Sequence, residues 1–236
     1  MVIRHKSDSS DASAPVETGR RQRRREETTE KLFTAAMELF SRKGFTQTTV
    51  EEITQAADVG KGTFFNYFPS KEHVLGYFVA RQRSKVMHHL ELSREAKMSS
   101  RDVLASLGRS LIRIPAKSPQ MASCLLRVFL GNDEVREHLV GEMTEGRRWI
   151  AEIIQLGQER GELSDEFPPA ELARAFHHAL FGTVLMWVLD SSSSVEKRLR
   201  DTMNVLFSSF EASPTPSRST RPALRSEAAK SEREAR

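Results

Sequence analysis

The sequence predicts an all-α protein of about nine helices, arranged as a three-helix head followed by a helical body. Apolar residues recur at helical spacing in nearly every periodic segment, and no segment shows a convincing alternation of apolar and polar residues. Glycines and prolines fall between these segments, where they end or begin helices. The chain has 236 residues, of which 38% are hydrophobic, so it is large enough to bury a substantial core.

The first helix of the head is predicted from about Thr28 to Lys43. Gly44 then supplies a left-handed stop, and Phe45 can fold back on the last turn. The apolar face that this helix turns inward is broad and consists of Leu32, Phe33, Ala36, Met37, Leu39 and Phe40.

Two short helices joined by a tight turn follow, over about residues 49–68. Thr48 or Thr49 caps the first of them, because a glutamate stands three residues after each and can close a capping box. The second helix runs from Lys61 to Phe68, and Pro69 ends it because the residue before a proline disfavours helical geometry.

The second short helix has the composition of a DNA-reading helix. Lys61 adds a full positive charge at its amino end, and Asn66 and Tyr67 supply polar tips one turn later. Gly62 and Thr63 are small enough to let backbone approach a phosphate or a groove floor. Phe64 and Phe68 share the face that packs on the other helices. Phe65 lies off that face, where a core role and a contact with a thymine methyl group are both open.

Five arginines fall within positions 20–25, just ahead of this head. Such a cluster is commonly a solvated tail, but beside a DNA-reading helix it is placed to contact phosphates or a minor groove. We expect residues 1–25 to form a disordered basic arm that contacts DNA through the arginines nearest the first helix, Arg23, Arg24 and Arg25.

The chain resembles the TetR family of bacterial transcriptional regulators over about residues 26–86. The residues that carry this resemblance are Phe33, Ala36, Leu39, Phe40, Gly44, Phe45, Thr48, Thr49, Val50, Ile53, Ala57, Val59, Lys61 to Phe68, Ser70, Lys71, Glu72 and Leu75. Two positions depart from the common pattern. Asp58 stands in the inter-helix turn where glycine is usual, and Gly60 caps the second short helix where serine is frequent.

The resemblance implies a helix-turn-helix DNA-binding head at 26–86 and a helical ligand-binding and dimerisation body at 87–211. It also implies that the DNA contacts come from the two short helices and their flanks. With the arginine arm, the expected DNA-binding residues are Arg23, Arg24, Arg25, Thr48, Thr49, Lys61, Gly62, Thr63, Phe65, Asn66, Tyr67 and Lys71.

In the body, a fourth helix capped by Ser70 extends to about Ala96, and five further helices follow. Residues 212–236 contain prolines and many charges and are expected to be disordered. Side chains that combine apolar surface with a polar tip are candidates for lining a ligand pocket, with core packing or dimer contact as the alternative. They are Phe129, Met143, Trp149, His177 and Trp187.

The last two helices are unusually apolar, which suggests a subunit interface. The family resemblance implies a homodimer built as a four-helix bundle from this helix pair of each chain. The expected contact residues are Phe181, Val184, Val188, Leu199, Met203, Leu206 and Phe210.

These observations predict a cytoplasmic homodimeric repressor that binds a palindromic DNA operator and is released by a small hydrophobic ligand. The alternative is a ligand-independent architectural DNA-bound protein with the same head. We expect no enzymatic activity, no cofactor and no metal site, since no catalytic motif occurs and the single cysteine, Cys124, lies in an apolar stretch. No segment of about 18 uninterrupted apolar residues is present, so no membrane span is expected.

Overall fold

The computed structural model describes residues 14–208, which form nine α-helices and one short 3₁₀ helix. The all-α fold class is confirmed. The helices are α1 Ala14–Lys43, α2 Val50–Ala56, α3 Lys61–Tyr67, α4 Lys71–Arg94, α5 Ser100–Ile112, α6 Pro119–Gly131, α7 Asp133–Glu159, α8 Pro169–Leu189 and α9 Val195–Ser208, with the 3₁₀ helix at Pro115–Lys117.

Helix α1 begins at Ala14, well before the predicted start at Thr28, so the expectation of a disordered arm is wrong for residues 14–25. The Thr28 hydroxyl donates to the carbonyl of Arg24, and Thr29 donates to that of Arg25 in the same way, so both residues lie inside the helix. Arginine, glutamine and glutamate are strong helix formers and extend the helix toward the amino end. Residues 1–13 lie outside the described range.

The turns of the head follow the sequence prediction closely. Gly44 has a φ of 86° and ends α1, and the ring of Phe45 folds back to lie 4.9 Å from that of Phe40. Thr49, rather than Thr48, is the cap of α2 and closes a capping box with Glu52. Asp58 adopts a φ of 53°, the left-handed conformation for which glycine is common at this turn.

Helix α4 joins the head to the body. Near its start Val74, Leu75 and Phe78 pack in the core of the head, whereas Val86 and Leu90 lie in the core of the body. Its 24 residues span about 36 Å at about 1.5 Å per residue. Helix α6 also belongs to both regions, because Met121 and Cys124 complete the head core that α1 and α4 form. The head and body are therefore connected by two helices and not by a flexible linker.

Helix α8 has the length and mean hydropathy of a membrane span. Four of its large apolar side chains are nevertheless buried in the body core, namely Leu172, Phe176, Leu180 and Trp187. This burial accounts for the apolar inward face of α8 as that of a core helix.

The structure corrects the part of the predicted dimer interface that lies on α9. Leu199 and Met203 are buried in the core of their own body, beside Val195 and Phe207. Helical periodicity shows which side chains share a face but does not show what covers that face, and here α5 and α8 cover it. Phe210 lies outside the described residues.

Candidate nucleic-acid interface and effector cavity

Helix α3 presents a solvated row of side chains while its opposite face anchors it to the head. Phe64 is fully buried and Phe68 nearly so. Lys61, Gly62, Phe65 and Asn66 are exposed, and Thr63 is partly exposed. The Phe65 ring is 49% exposed, although it also contacts the edge of Phe64 at a centroid distance of 5.5 Å. Gly62 has no heavy atom within 4 Å of the position a Cβ would take, so the backbone there is open to close approach.

Lys61 is held by a carboxylate of the preceding helix. Its ammonium group donates to Glu51, and this bond with Lys61 is the main reason that the pKa of the Glu51 carboxyl is lowered. The Lys61 side chain is 58% exposed, so the ion pair is solvated and contributes little to stability. A phosphate can replace the Glu51 carboxylate at small cost.

The arginine-rich part of α1 meets the carboxyl end of α3. The Arg25 guanidinium lies over the ring of Tyr67, 5.3 Å from its centroid, which is a cation–π distance. Arg23 and Arg24 are exposed one turn or less away on the same helix. The structure thus brings basic side chains from α1 beside the DNA-reading helix, but on a helix and not on an unstructured arm.

Two of the predicted DNA-contact residues have structural roles instead. Thr48 is buried, and its hydroxyl donates to the carbonyl of Gly44 at 2.8 Å. The Lys71 ammonium donates to the carbonyls of Phe45, Thr46 and Thr48 at 3.0 to 3.2 Å, and it lies 4.7 Å from the Phe45 ring centroid. An ammonium group has three N–H donors, so Lys71 has none left for a phosphate.

Thr49 keeps an exposed position at the amino end of α2, with its hydroxyl engaged in the capping box. Glu52, its partner in the box, has a pKa lowered to about 2, first by the bond from Lys43 and then by that from the Thr49 backbone. The carboxylate therefore stays ionised and holds the cap throughout the neutral range.

The body contains a cavity of about 130 Å³ between α4, α5, α6, α7 and α8. Phe129, Met143 and His177 line it, as the sequence suggested. Trp149 and Trp187 do not: Trp187 is buried in the body core and Trp149 packs against that core. The cavity side of α7 is the row Met143, Gly146, Arg147 and Ile150, which leaves Trp149 on another side of the helix.

Sequence reasoning missed most of the cavity wall. Phe181 and Val184, predicted for the dimer, lie along the cavity, and the charged side chains Arg83, Glu142 and Arg147 also border it. These residues gave no sequence signal, because the cavity forms only where five helices fail to fill the space between them. Aromatic and methionine residues were an incomplete guide, since they are common throughout helical cores, and the two tryptophans lie elsewhere.

His177 is buried beside the cavity, and this burial is the main reason its pKa falls to about 4 from an ordinary value of 6.5. The charges of Arg147 and His178 lower it further. The imidazole is therefore neutral in the folded protein at neutral pH.

The His177 shift predicts a loss of stability in acid. Between pH 6.5 and about 4 the unfolded chain binds a proton at this site and the folded chain does not, so the free energy of unfolding falls as pH falls. The expected loss is on the order of 3 kcal/mol across this window. Urea unfolding curves at successive pH values measure it. His177→Leu should remove this part of the pH dependence, and His178→Leu, at the exposed neighbour, should retain it.

Within the described residues, no group of three or more histidine, cysteine, aspartate or glutamate side chains is placed to hold a metal ion. His88 and His89 are adjacent, but their rings lie 5.5 Å apart at an angle of 84°. His89 Nδ1 is 2.7 Å from the Lys85 carbonyl, which accounts for that side chain structurally.

A solvated recognition helix packed on a three-helix head, with a helical body behind it, defines a helix-turn-helix DNA-binding protein. Residues 32–77 match the family described as bacterial regulatory proteins, tetR family, and residues 131–203 match the tetracyclin repressor-like C-terminal domain. The chain belongs to the TetR family of transcriptional regulators.

Similarity to individual members is strong in the head and weak in the body. The regulator TcmR of Streptomyces glaucescens is 45% identical over 62 residues, which are 26% of this chain and 27% of that protein. The repressor KstR of Mycobacterium tuberculosis is 23% identical over 171 residues, 72% of this chain and 76% of its own. The crystal structure of the Thermus thermophilus repressor FadR in complex with lauroyl-CoA covers 80% of this chain and 97% of its own, with 29% identity and a TM-score of 0.53.

Proposed function

We propose that this protein is a homodimeric transcriptional repressor that binds a palindromic operator through α3 and is released by a small, largely apolar ligand. The observation that carries the proposal is the exposed row of Lys61, Gly62, Phe65 and Asn66 on a helix whose other face is anchored by Phe64. Lysine positions the helix on phosphates, and asparagine reads base edges in the major groove.

Dimerisation is supported by an apolar stripe on the outer face of α8. Phe181, Leu185, Met186 and Leu189 are between 37% and 72% exposed, and Val205 of α9 is 73% exposed. Gly182 has no heavy atom near its Cβ position, so a second helix can approach closely there. A contiguous exposed apolar face of this kind is typical of a subunit interface. Val188 and Leu206, which are partly buried, flank this stripe.

A dimer also solves the problem of sequence recognition. One recognition helix contacts only a few base pairs, whereas two heads related by a twofold axis read two half-sites in a fixed spacing. Operator binding then depends on the distance between the two α3 helices.

Ligand control is supported by the position of the cavity beside the two helices that enter the head. Phe78 of α4 and Phe129 of α6 line the cavity, with their rings stacked 6.2 Å apart, and both also belong to the head core. A ligand that displaces either ring shifts a helix that supports the head, and so lowers DNA affinity. The lauroyl-CoA complex of the Thermus FadR supports an amphipathic ligand class. A regulator of this kind acts on chromosomal DNA, which places it in the cytoplasm.

The alternative, a ligand-independent architectural protein, has the same head but no need of a cavity. Operator release tests the difference. A mobility-shift titration of DNA from upstream of its own gene, repeated with apolar compounds, should show release by one compound class. Uniform binding in the presence of every compound would favour the architectural alternative.

The DNA contact itself is tested with Lys61→Ala and Asn66→Ala. We expect each variant to lose operator affinity by at least about tenfold, because a phosphate contact or a base contact is worth about 1–3 kcal/mol. The salt dependence of binding separates the two, since only Lys61→Ala should lower the slope of log K against log salt, by about two for the dimer, or one for each subunit. Lys197→Ala is the matched control, because Lys197 pairs with Asp201 on α9, far along the chain from the head. Unchanged operator affinity in both variants would show that α3 is not the helix that contacts the DNA.

A further inference from the structure

The charges of the side chains on the cavity wall do not sum to zero. Arg83 pairs with Glu142, with Nη1 and Oε1 3.1 Å apart. The guanidinium of Arg147 donates only to the Thr144 hydroxyl, at 3.2 Å on its own helix, and has no carboxylate partner within the described part of the chain. His177, which also lines the cavity, is neutral at pH 7. One positive charge without a carboxylate partner in the described residues therefore remains at the wall of a mostly apolar cavity.

Arg147 is partly buried, and its guanidinium gains most from a carboxylate, which accepts two parallel hydrogen bonds from its planar donors. The competing chemistry is an ammonium ligand on Glu142, whose buried Oε2 has no hydrogen-bond partner in the described residues. Glu142 already pairs with Arg83, however, and Arg147 adds a second positive charge at the same cavity. The net charge of the wall favours an anion over a cation.

The size of the cavity limits the apolar part of the ligand. A cavity of about 150 Å³ in a protein core binds benzene. The cavity here measures about 130 Å³, so it holds an apolar body of about six carbon atoms. A twelve-carbon chain needs roughly twice that space, and fits only if the helices around the cavity separate.

We propose that the effector is a compact apolar carboxylic acid, with its carboxylate bound by Arg147 and an apolar body of about six carbon atoms filling the cavity. This inference rests on the proposed ligand-controlled function and names the chemical class that controls it. Arg147 is then the specificity-determining residue of the cavity, and the apolar wall formed by Phe78, Leu125 and Phe129 sets the size limit.

Isothermal titration calorimetry of the full chain at pH 7 tests the proposal with three probes of similar size and one longer probe. Benzoate is the acid, benzyl alcohol its neutral counterpart and benzylamine its cationic counterpart, and laurate tests the length limit. We expect benzoate to bind at least about tenfold more tightly than benzyl alcohol and benzylamine, as one charge-assisted contact predicts. Laurate should bind no more tightly than benzoate.

Variants at adjacent positions supply the control. R147Q should bind benzoate and benzyl alcohol with equal affinity, whereas R148Q should keep the wild-type preference, because Arg148 is exposed and pairs with Glu145 outside the cavity. R147K keeps the charge but not the paired donors, so it should keep part of the preference. Circular dichroism of all three variants verifies that they fold.

Equal affinity of the wild type for the acid and the alcohol, a preference for benzylamine or laurate, or no binding of any probe would overturn the proposal. A mobility shift with upstream DNA is measured in parallel. If DNA binds but the acid preference is absent, the effector class is wrong and the repressor function stands. If no DNA binds, the repressor function fails, and the calorimetric preference still decides the chemistry of the cavity.

Discussion

Replacing Lys71 with methionine is expected to destabilise the head by about 3 kcal/mol and to abolish operator binding. Three carbonyls, those of Phe45, Thr46 and Thr48, lose the bond from the Lys71 ammonium, and within the described residues only that of Phe45 keeps another donor, the Thr48 N–H. Hydrogen bonds from a charged group contribute about 1.5–3 kcal/mol each without adding fully. The Phe45 ring also loses the cation that lies 4.7 Å from its centroid. Methionine keeps most of the aliphatic part of the lysine side chain, so the loss of stability measures the contribution of the ammonium group.

Urea unfolding monitored by circular dichroism measures the stability, and fluorescence anisotropy of labelled DNA measures binding. Lys117→Met is the control, because Lys117 is an exposed lysine of the 3₁₀ helix between α5 and α6. If Lys71 instead contacts a phosphate, as expected from the sequence, the substitution should change the salt dependence of DNA binding and leave the stability unchanged. A variant of wild-type stability, whose salt slope falls by about two for the dimer, would restore that expectation.

Replacing Leu185 with glutamate is expected to convert the dimer to a monomer and to lower operator affinity by about two orders of magnitude or more. The Leu185 side chain is 42% exposed in the isolated chain, so a charge there costs the fold little. In a four-helix interface the same carboxylate would be buried without a partner, which is strongly unfavourable. A monomer also loses the bivalent advantage, which is worth about 10²–10⁴ in affinity.

Sedimentation velocity gives the oligomeric state, and the same anisotropy assay gives the DNA affinity. Leu130→Glu is the matched control, since Leu130 is a leucine at the end of α6 that is 72% exposed but lies on another helix from the stripe. A Leu185→Glu protein that sediments as a dimer would place the interface elsewhere. A monomer with full operator affinity would contradict the twofold mode of reading.

Local signals predicted the turns and caps of the head because these depend on neighbouring residues alone. Gly44 and Asp58 adopt left-handed backbone, and Thr49 closes a box with a side chain three residues away. The inward position of Phe64 and Phe68 followed from their spacing in the same way. The start of α1 was missed, since threonines at a plausible cap position bond instead to carbonyls one turn earlier.

Long-range partners account for the remaining differences. Lys71 bonds to carbonyls more than 20 residues away, and nothing in the local sequence distinguishes this lysine from one that faces DNA. Leu199 and Met203 form one apolar face of α9, and that face packs on its own chain. A helix face covered by a second copy of the chain would show the same periodicity, so the sequence does not distinguish a core face from an interface face.

By itself the sequence determined the helical class, the order of the helices, the helix-turn-helix motif and the side chains that its recognition helix exposes, because all of these arise from interactions within a few turns of the chain. Only the tertiary structure decided which polar groups are already occupied, where five helices leave a cavity, and that Arg147 borders it without a carboxylate partner in the described residues. Those properties depend on which distant side chains meet, and burial makes an unpaired charge or an unfilled volume energetically significant.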